Sequence, residues 1–276
     1  MGQDIPRAFR LLAAPAALFS FALFLAPLLL MLSLAFRDPQ PGLQNFGWMA
    51  TSSAVGKIVW ATFRFSAIAS VISVMLGFAV AYAIWLSGRT LSLVLLFVVL
   101  VSFWLSVLIR CFALILALGP NGPVNATLAA LSLGPVRLIR NEPGVLLGMV
   151  HYLIPFAVLT ILAALRGIDL SLVAAARSMG AHRARVFRTV VLPLAAPGAF
   201  AALALTFVIA LGFYITPALL GGGRVVMIAE FITFHVQNVL AWGKASALAI
   251  FLIAAIGASY GLVKLPEMLM RQRRAA

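Results

Sequence analysis

The chain has 276 residues, of which 64% are hydrophobic and 9% charged, and its mean hydropathy is +1.14. A water-soluble domain covers itself with roughly a quarter charged residues. A soluble fold is therefore excluded, and a bilayer is the solvent that tolerates such a surface. The net charge of +14 comes from 20 Lys/Arg against 6 Asp/Glu. No aromatic-interleaved basic face stands outside the apolar runs, so this excess reflects cytoplasmic basic loops and attraction to anionic lipid rather than nucleic-acid binding.

Six apolar stretches meet the length of about 20 residues that one helical span requires. They run at approximately 11–35, 59–86, 91–117, 144–165, 194–219 and 245–268. None alternates as a barrel strand does, so the fold class is all-α integral membrane protein, with a single transmembrane domain over 1–276. The first stretch follows Arg7 and Arg10 and is too long for a signal-peptide core, so it reads as an uncleaved span.

Helix breakers punctuate the spans. Asp38-Pro39-Gln40-Pro41-Gly42 ends the first, Ser87-Gly88-Arg89-Thr90 separates the second from the third, and Gly119-Pro120-Asn121-Gly122-Pro123 ends the third. Trp60 and Trp85 lie 25 residues apart, roughly 37 Å along a helix, which places one ring in each headgroup layer. A short helix is expected around Val124–Leu133; Asn125-Ala126-Thr127 matches a glycosylation acceptor only as short motifs do by chance.

Basic residues give the orientation. With the N-terminus inside, Arg7, Arg10, Arg89, Arg166, Arg177, Arg183, Arg185, Arg188, Arg271, Arg273 and Arg274 are cytoplasmic. Arg37, Lys57, Arg137, Arg140, Arg224 and Lys244 are outside, and Arg64, Arg110 and Lys264 fall within spans. Eleven against six favours both termini in the cytoplasm.

The segment 166–193 is then a basic cytoplasmic loop. Asp169 or Ser171 can cap a first short helix, Gly180 can end it at a left-handed position, and a second helix over 182–191 turns Val186, Phe187 and Val190 to one side. Arg183, Arg185 and Arg188 surround the remainder, and Pro193 suits the first turn of the fifth span. On these grounds alone, a protein-docking knob and a headgroup-hugging loop remain equally open.

The spacing of Ala175, Ala176, Gly180, Val190, Leu192 and Pro193 resembles the EAA loop of binding-protein-dependent ABC-importer permeases. The family's Glu falls on Ala174, a departure that removes the charged contact with the ATPase. The resemblance covers most of the chain and is nearest to spermidine/putrescine-type permeases, through Phe103–Arg110, Gly148–Phe156 and Leu211–Gly222. It implies a type I importer permease of the bacterial inner membrane, half of the pathway for a polyamine or a related opine or amino-acid-type solute. A second permease subunit, two ATPase subunits and a periplasmic binding protein are the implied partners. The coupling loop would present Ala174, Ala175, Ala176, Arg177, Gly180, Arg183, Arg185, Val190, Leu192 and Pro193.

Candidate pathway residues are Trp104, Arg110, Phe213 and Tyr214. An arginine in a span is expensive, roughly 3 kcal/mol at mid-bilayer, and either snorkels, pairs or faces the pathway; an aromatic face can hold an ammonium group. Arg64 reads as snorkelling and His151 as an interhelical hydrogen-bonding residue. Gly212, Pro217 and Gly221–Gly223 could kink the fifth span or simply allow close packing. The acids Asp4, Asp38, Glu142, Asp169, Glu230 and Glu267 all lie outside the span interiors, so no intramembrane carboxylate awaits a polycation. Asp38, Glu142 and Glu230 are outside and could meet a binding protein.

No catalysis, cofactor or metal is expected. There is no G-x-x-x-x-G-K-[ST] run for ATP and no H-E-x-x-H, the three histidines are scattered, and Cys111 stands alone. A secondary carrier would carry intramembrane acids or inverted repeats, and neither occurs.

Overall fold

In the computed structural model, residues 7–275 are described, the side chains of 7–14, 16–17, 260 and 262–275 excepted. Asp4 lies outside the described residues, as do the side chains of Arg7, Arg10, Lys264, Glu267, Arg271, Arg273 and Arg274. The described residues form helices and no strand. In chain order these are α1 (Arg7–Arg37), α2 (Gln44–Thr51), α3 (Ser53–Leu86), α4 (Arg89–Trp104), α5 (Val107–Leu118), α6 (Pro123–Ala130) and α7 (Glu142–Arg166). There follow α8 (Leu170–Ser178), α9 (Arg183–Val186), α10 (Leu192–Leu211), α11 (Ile215–Leu220), α12 (Ile228–Gln237) and α13 (Trp242–Ala275). Six stretches are long and apolar enough to cross a membrane, in α1, α3, α5–α6, α7, α9–α10 and α13.

The chain forms two compact units. The first comprises Met1–Gly56 and Phe231–Ile253. Within it Asn45 donates to the carbonyls of Ala35 and Asp38 at 2.9 and 2.7 Å, and the Asp38 carboxylate accepts from the Gly243 amide at 2.7 Å. Ser246 closes the unit by donating to the Met31 carbonyl at 2.7 Å. Polar side chains thus do the joining where apolar packing has no water to escape from.

The second unit, Lys57–Glu230 with Ala254–Ala276, is built around α7. Of the core stretch of α7, 56% is buried, against a third or less in every other span. Its first half packs Val145, Met149 and Leu153 against Phe65, Cys111, Ala210 and Leu220. Its second half packs Ala157, Ile161 and Leu165 against Ala81, Ile84, Ala195 and Ala202. The helices approach closely because small residues face each other: a Cβ added at Gly198 of α10 would stand 2.2 Å from the Ala164 Cβ of α7.

Two expected continuities are broken and one expected boundary is absent. The third apolar run, expected as one helix over 91–117, is two helices separated by extended Leu105 and Ser106 (ψ 131° and 140°). The run expected over 194–219 unwinds at Gly212–Tyr214, one turn before Pro217, which has no amide proton to continue the ladder. The second loop helix does not stop before the fifth span. Residues 187–191 form a π-helical turn, with the Leu192 amide bonded to the Phe187 carbonyl, and lead straight into α10. Placing the wider turn just before Pro193 absorbs the ring that an α-helical register would drive into the preceding carbonyl.

Candidate functional site

The segment 166–193 folds onto the C-terminal ends of α3 and α7. Asp169 caps α8, its carboxylate accepting from the Ser171 amide at 2.9 Å. That backbone bond, reinforced by the Ser171 hydroxyl, holds its carboxyl below the usual carboxylate range. The helix ends in a paired closure in which Gly180 N–H donates to Arg177 at 3.0 Å and Ala181 N–H to Ala176 at 3.2 Å. Gly180 takes φ +82°, a conformation that a side chain resists even though the space around it is open.

The segment is seated by side chains. Val186 and Val191 are buried, and Phe187 lies edge-on to Phe78 and Tyr82 of α3, with ring centroids 6.0 and 5.0 Å away. Tyr82 in turn lies 5.9 Å from Trp85. Arg177, Arg183, Arg185 and Arg188 are exposed, as are Ala174, Ala175, Leu192 and Pro193. Ala176 is buried in the core with Val186, and Val190 packs against it, so neither forms part of the outer face that the spacing suggests for it. The same face exposes Leu170, Leu172 and Met179 at 63, 50 and 82%. Their signal in the sequence was weak, because isolated Leu and Met in an amphipathic loop read as core.

The pathway candidates separate into two kinds. Arg110 and Phe213 meet through Tyr152: the guanidinium lies 4.8 Å from the Tyr152 ring centre, and Phe213 meets that ring edge-on at 5.2 Å. Tyr152 stacks on Phe156, and Phe156 touches Phe103, at 5.6 and 5.1 Å. Trp104 is 83% exposed at the end of α4, and Tyr214 is exposed in the unwound stretch. Arg110 is buried rather than snorkelling. It donates to the carbonyls of Ser102 and Leu105, which the break between α4 and α5 leaves without helical partners. The broken helix thus supplies acceptors for one end of the guanidinium, while its Nε keeps no hydrogen-bond partner. His151 keeps a buried Nδ1 without a hydrogen-bond partner.

At the opposite end of α7, Arg64 forms an ion pair with Glu142. Asn125, buried in α6, donates to Gly119 at 2.8 Å and accepts from the Val136 amide at 2.8 Å, pinning the segment after α6 to the end of α5. No group of three or more His, Cys, Asp or Glu able to hold a metal occurs among the described residues.

The family described as binding-protein-dependent transport system inner membrane component matches residues 73–271. The chain belongs to this family. As a member it is a permease subunit of an ABC importer, seated in the inner membrane, and a transport subunit rather than an enzyme. It is 30% identical over 247 residues to the spermidine/putrescine transport system permease protein PotB of Haemophilus influenzae, covering 85% of this chain and 86% of that one. With PotB of Escherichia coli it shares 29% over 192 residues, 69% of this chain and 70% of the relative. A chain of the crystal structure of a bacterial ABC transporter involved in alginate import superposes with TM-score 0.74 at 19% identity, over 98% of each chain.

Proposed function

We propose that this chain, acting over 1–276 as one permease domain, pairs with a second permease subunit to form the pathway for a polyamine or a related opine or amino-acid-type solute. Both termini face the cytoplasm. Two ATPase subunits power the assembly, and a periplasmic binding protein delivers the solute. The seated knob at 166–193 carries the reading: its arginines and exposed Leu170, Leu172 and Met179 offer a mixed basic and apolar docking face. The Arg177, Arg183 and Arg185 side chains supply charge, Gly180 sets the angle between α8 and α9, and Leu192–Pro193 carry displacement into α10. Substrate class is supported by the spermidine/putrescine relatives. Arg110, Phe213, Trp104 and Tyr214 remain the proposed pathway-side residues.

Reconstitution of the complete assembly in vesicles tests this. ATP-dependent, binding-protein-dependent uptake of labelled putrescine, spermidine or an opine is expected. ATP-independent uptake coupled to an ion gradient would contradict it.

A further inference from the structure

The three acids that the sequence offers for meeting a binding protein are already engaged or screened. Asp38 holds the Gly243 amide, and Glu142 is paired with Arg64. Glu230 is partly buried with one carboxylate oxygen unpartnered, and burial pushes its carboxyl up towards the neutral form. The second unit carries free charge of the opposite sign. Around the N-terminus of α7 lies an open cavity of about 810 Å³ whose wall includes Arg137, Arg140 and Arg224, with Asn125 and Asn141, and no carboxylate. None of these three arginines has an ion-pair partner among the described residues.

The cavity is held in shape. Asn125 fixes the strand of chain leading into it. Arg140 adopts φ +58°, and Gly222, itself at φ +57°, makes room for it: a Cβ there would lie 2.7 Å from the Arg140 Cβ. Three like charges round one concavity repel each other unless an anion joins them. Exposed Leu131, Leu133 and Val136 (69, 65 and 44%) stand on the same segment. Arginine beside exposed apolar side chains is the composition of a protein interface. The cavity lies at the far end of α7 from the knob; 25 helical residues separate the two, roughly 37 Å.

We propose that the Arg137–Arg140–Arg224 cavity seats an acidic protrusion of the periplasmic binding protein, its carboxylates paired with the three guanidinium groups. This rests on the functional reading above and adds the site and the charge of the partner's contact.

The test is binding of the assembly's purified binding protein to the complete transporter in neutral-lipid nanodiscs, across a salt series. Wild type should bind, weaken with salt, and be competed by hexaglutamate. Arg137→Glu/Arg224→Glu, which leaves the Arg140 backbone untouched, should weaken binding at least about ten-fold and flatten the salt dependence. ATPase co-purification should stay normal, showing an intact fold. Unchanged affinity and salt slope in that variant would overturn the proposal alone. So would unchanged affinity with selective loss of anionic-solute uptake, or an effect seen only with anionic lipid. A wild-type assembly that binds no periplasmic protein would overturn the functional reading as well.

Discussion

Phe187 of the 166–193 knob meets Tyr82 of α3 edge-on, their ring centroids 5.0 Å apart. If the knob docks an ATPase as proposed, this contact would pass its displacement to α3, because packed aromatic rings cannot slide without losing dispersion contacts. Phe187→Ala removes the ring, which is only partly buried, and should cost about 2 kcal/mol locally. The ATPase should still co-purify, while binding-protein stimulation of ATP hydrolysis falls. Stimulation equal to wild type would show that the ring contact carries no coupling.

Gly180 is the second mechanical point. Gly180→Val forces a β-branched residue to φ +82°, at a cost of about 1–3 kcal/mol, and re-aims α9. ATPase association and transport should both drop, and Gly180→Asn, which tolerates the left-handed region, should recover most of each. Equal loss in both variants would point away from backbone geometry.

Much of this region was legible in the sequence. Asp169 and Gly180 announce the ends of α8, and Val186 and Phe187 fall on the packed side of the second helix, as their spacing suggests. The burial of Ala176 was hidden, because alanine suits an exposed helix and a core alike. The break at Leu105–Ser106 was hidden for a different reason. Hydropathy counts apolar atoms and is blind to orphan carbonyls, so Arg110 stood as an unexplained charge until its acceptors at Ser102 and Leu105 were placed. The Arg64–Glu142 pair joins positions 78 residues apart, beyond any local pattern.

The resemblance to the EAA loop puts Ala174 at the position of its Glu, and Ala174 is exposed on α8. Ala174→Glu should restore a charged contact and tighten ATPase association roughly two- to five-fold, the scale of an exposed ion pair. Pull-down titration at low and high salt would measure it, with the gain shrinking as salt rises. Weaker association would mean that the partner surface opposite this residue is acidic.

Asp169 makes the end of α8 sensitive to acid. Its carboxyl is depressed by the Ser171 amide and hydroxyl, so its stabilisation is complete above the ordinary Asp value of about 3.9. That stabilisation is lost as pH falls through the depressed value. Protection of the α8 amides, corrected for the pH dependence of intrinsic exchange, should fall in acid for the wild type and show no such step in Asp169→Asn, which caps without titrating. An identical acid step in the variant would assign the fraying to another group.

Gly222 should tolerate no side chain. Gly222→Val meets both a left-handed backbone and the Arg140 Cβ, costing about 1–3 kcal/mol. Reduced thermal stability of the purified assembly, with the ATPase still attached, is expected; an unshifted melting temperature would show that the 222–224 turn adapts freely.

The proposed function stands or falls on docking of an ATPase at the outer face of the knob. Deleting the loop is too blunt a test, because it also removes the core side chains of Val186 and Phe187. Leu172→Ser/Arg177→Glu/Met179→Ser changes only exposed positions. Co-purification of the ATPase with this variant is the direct measurement. The variant is expected to insert and pair normally but to bring down little or no ATPase; wild-type recovery of the ATPase would rule out docking on this face.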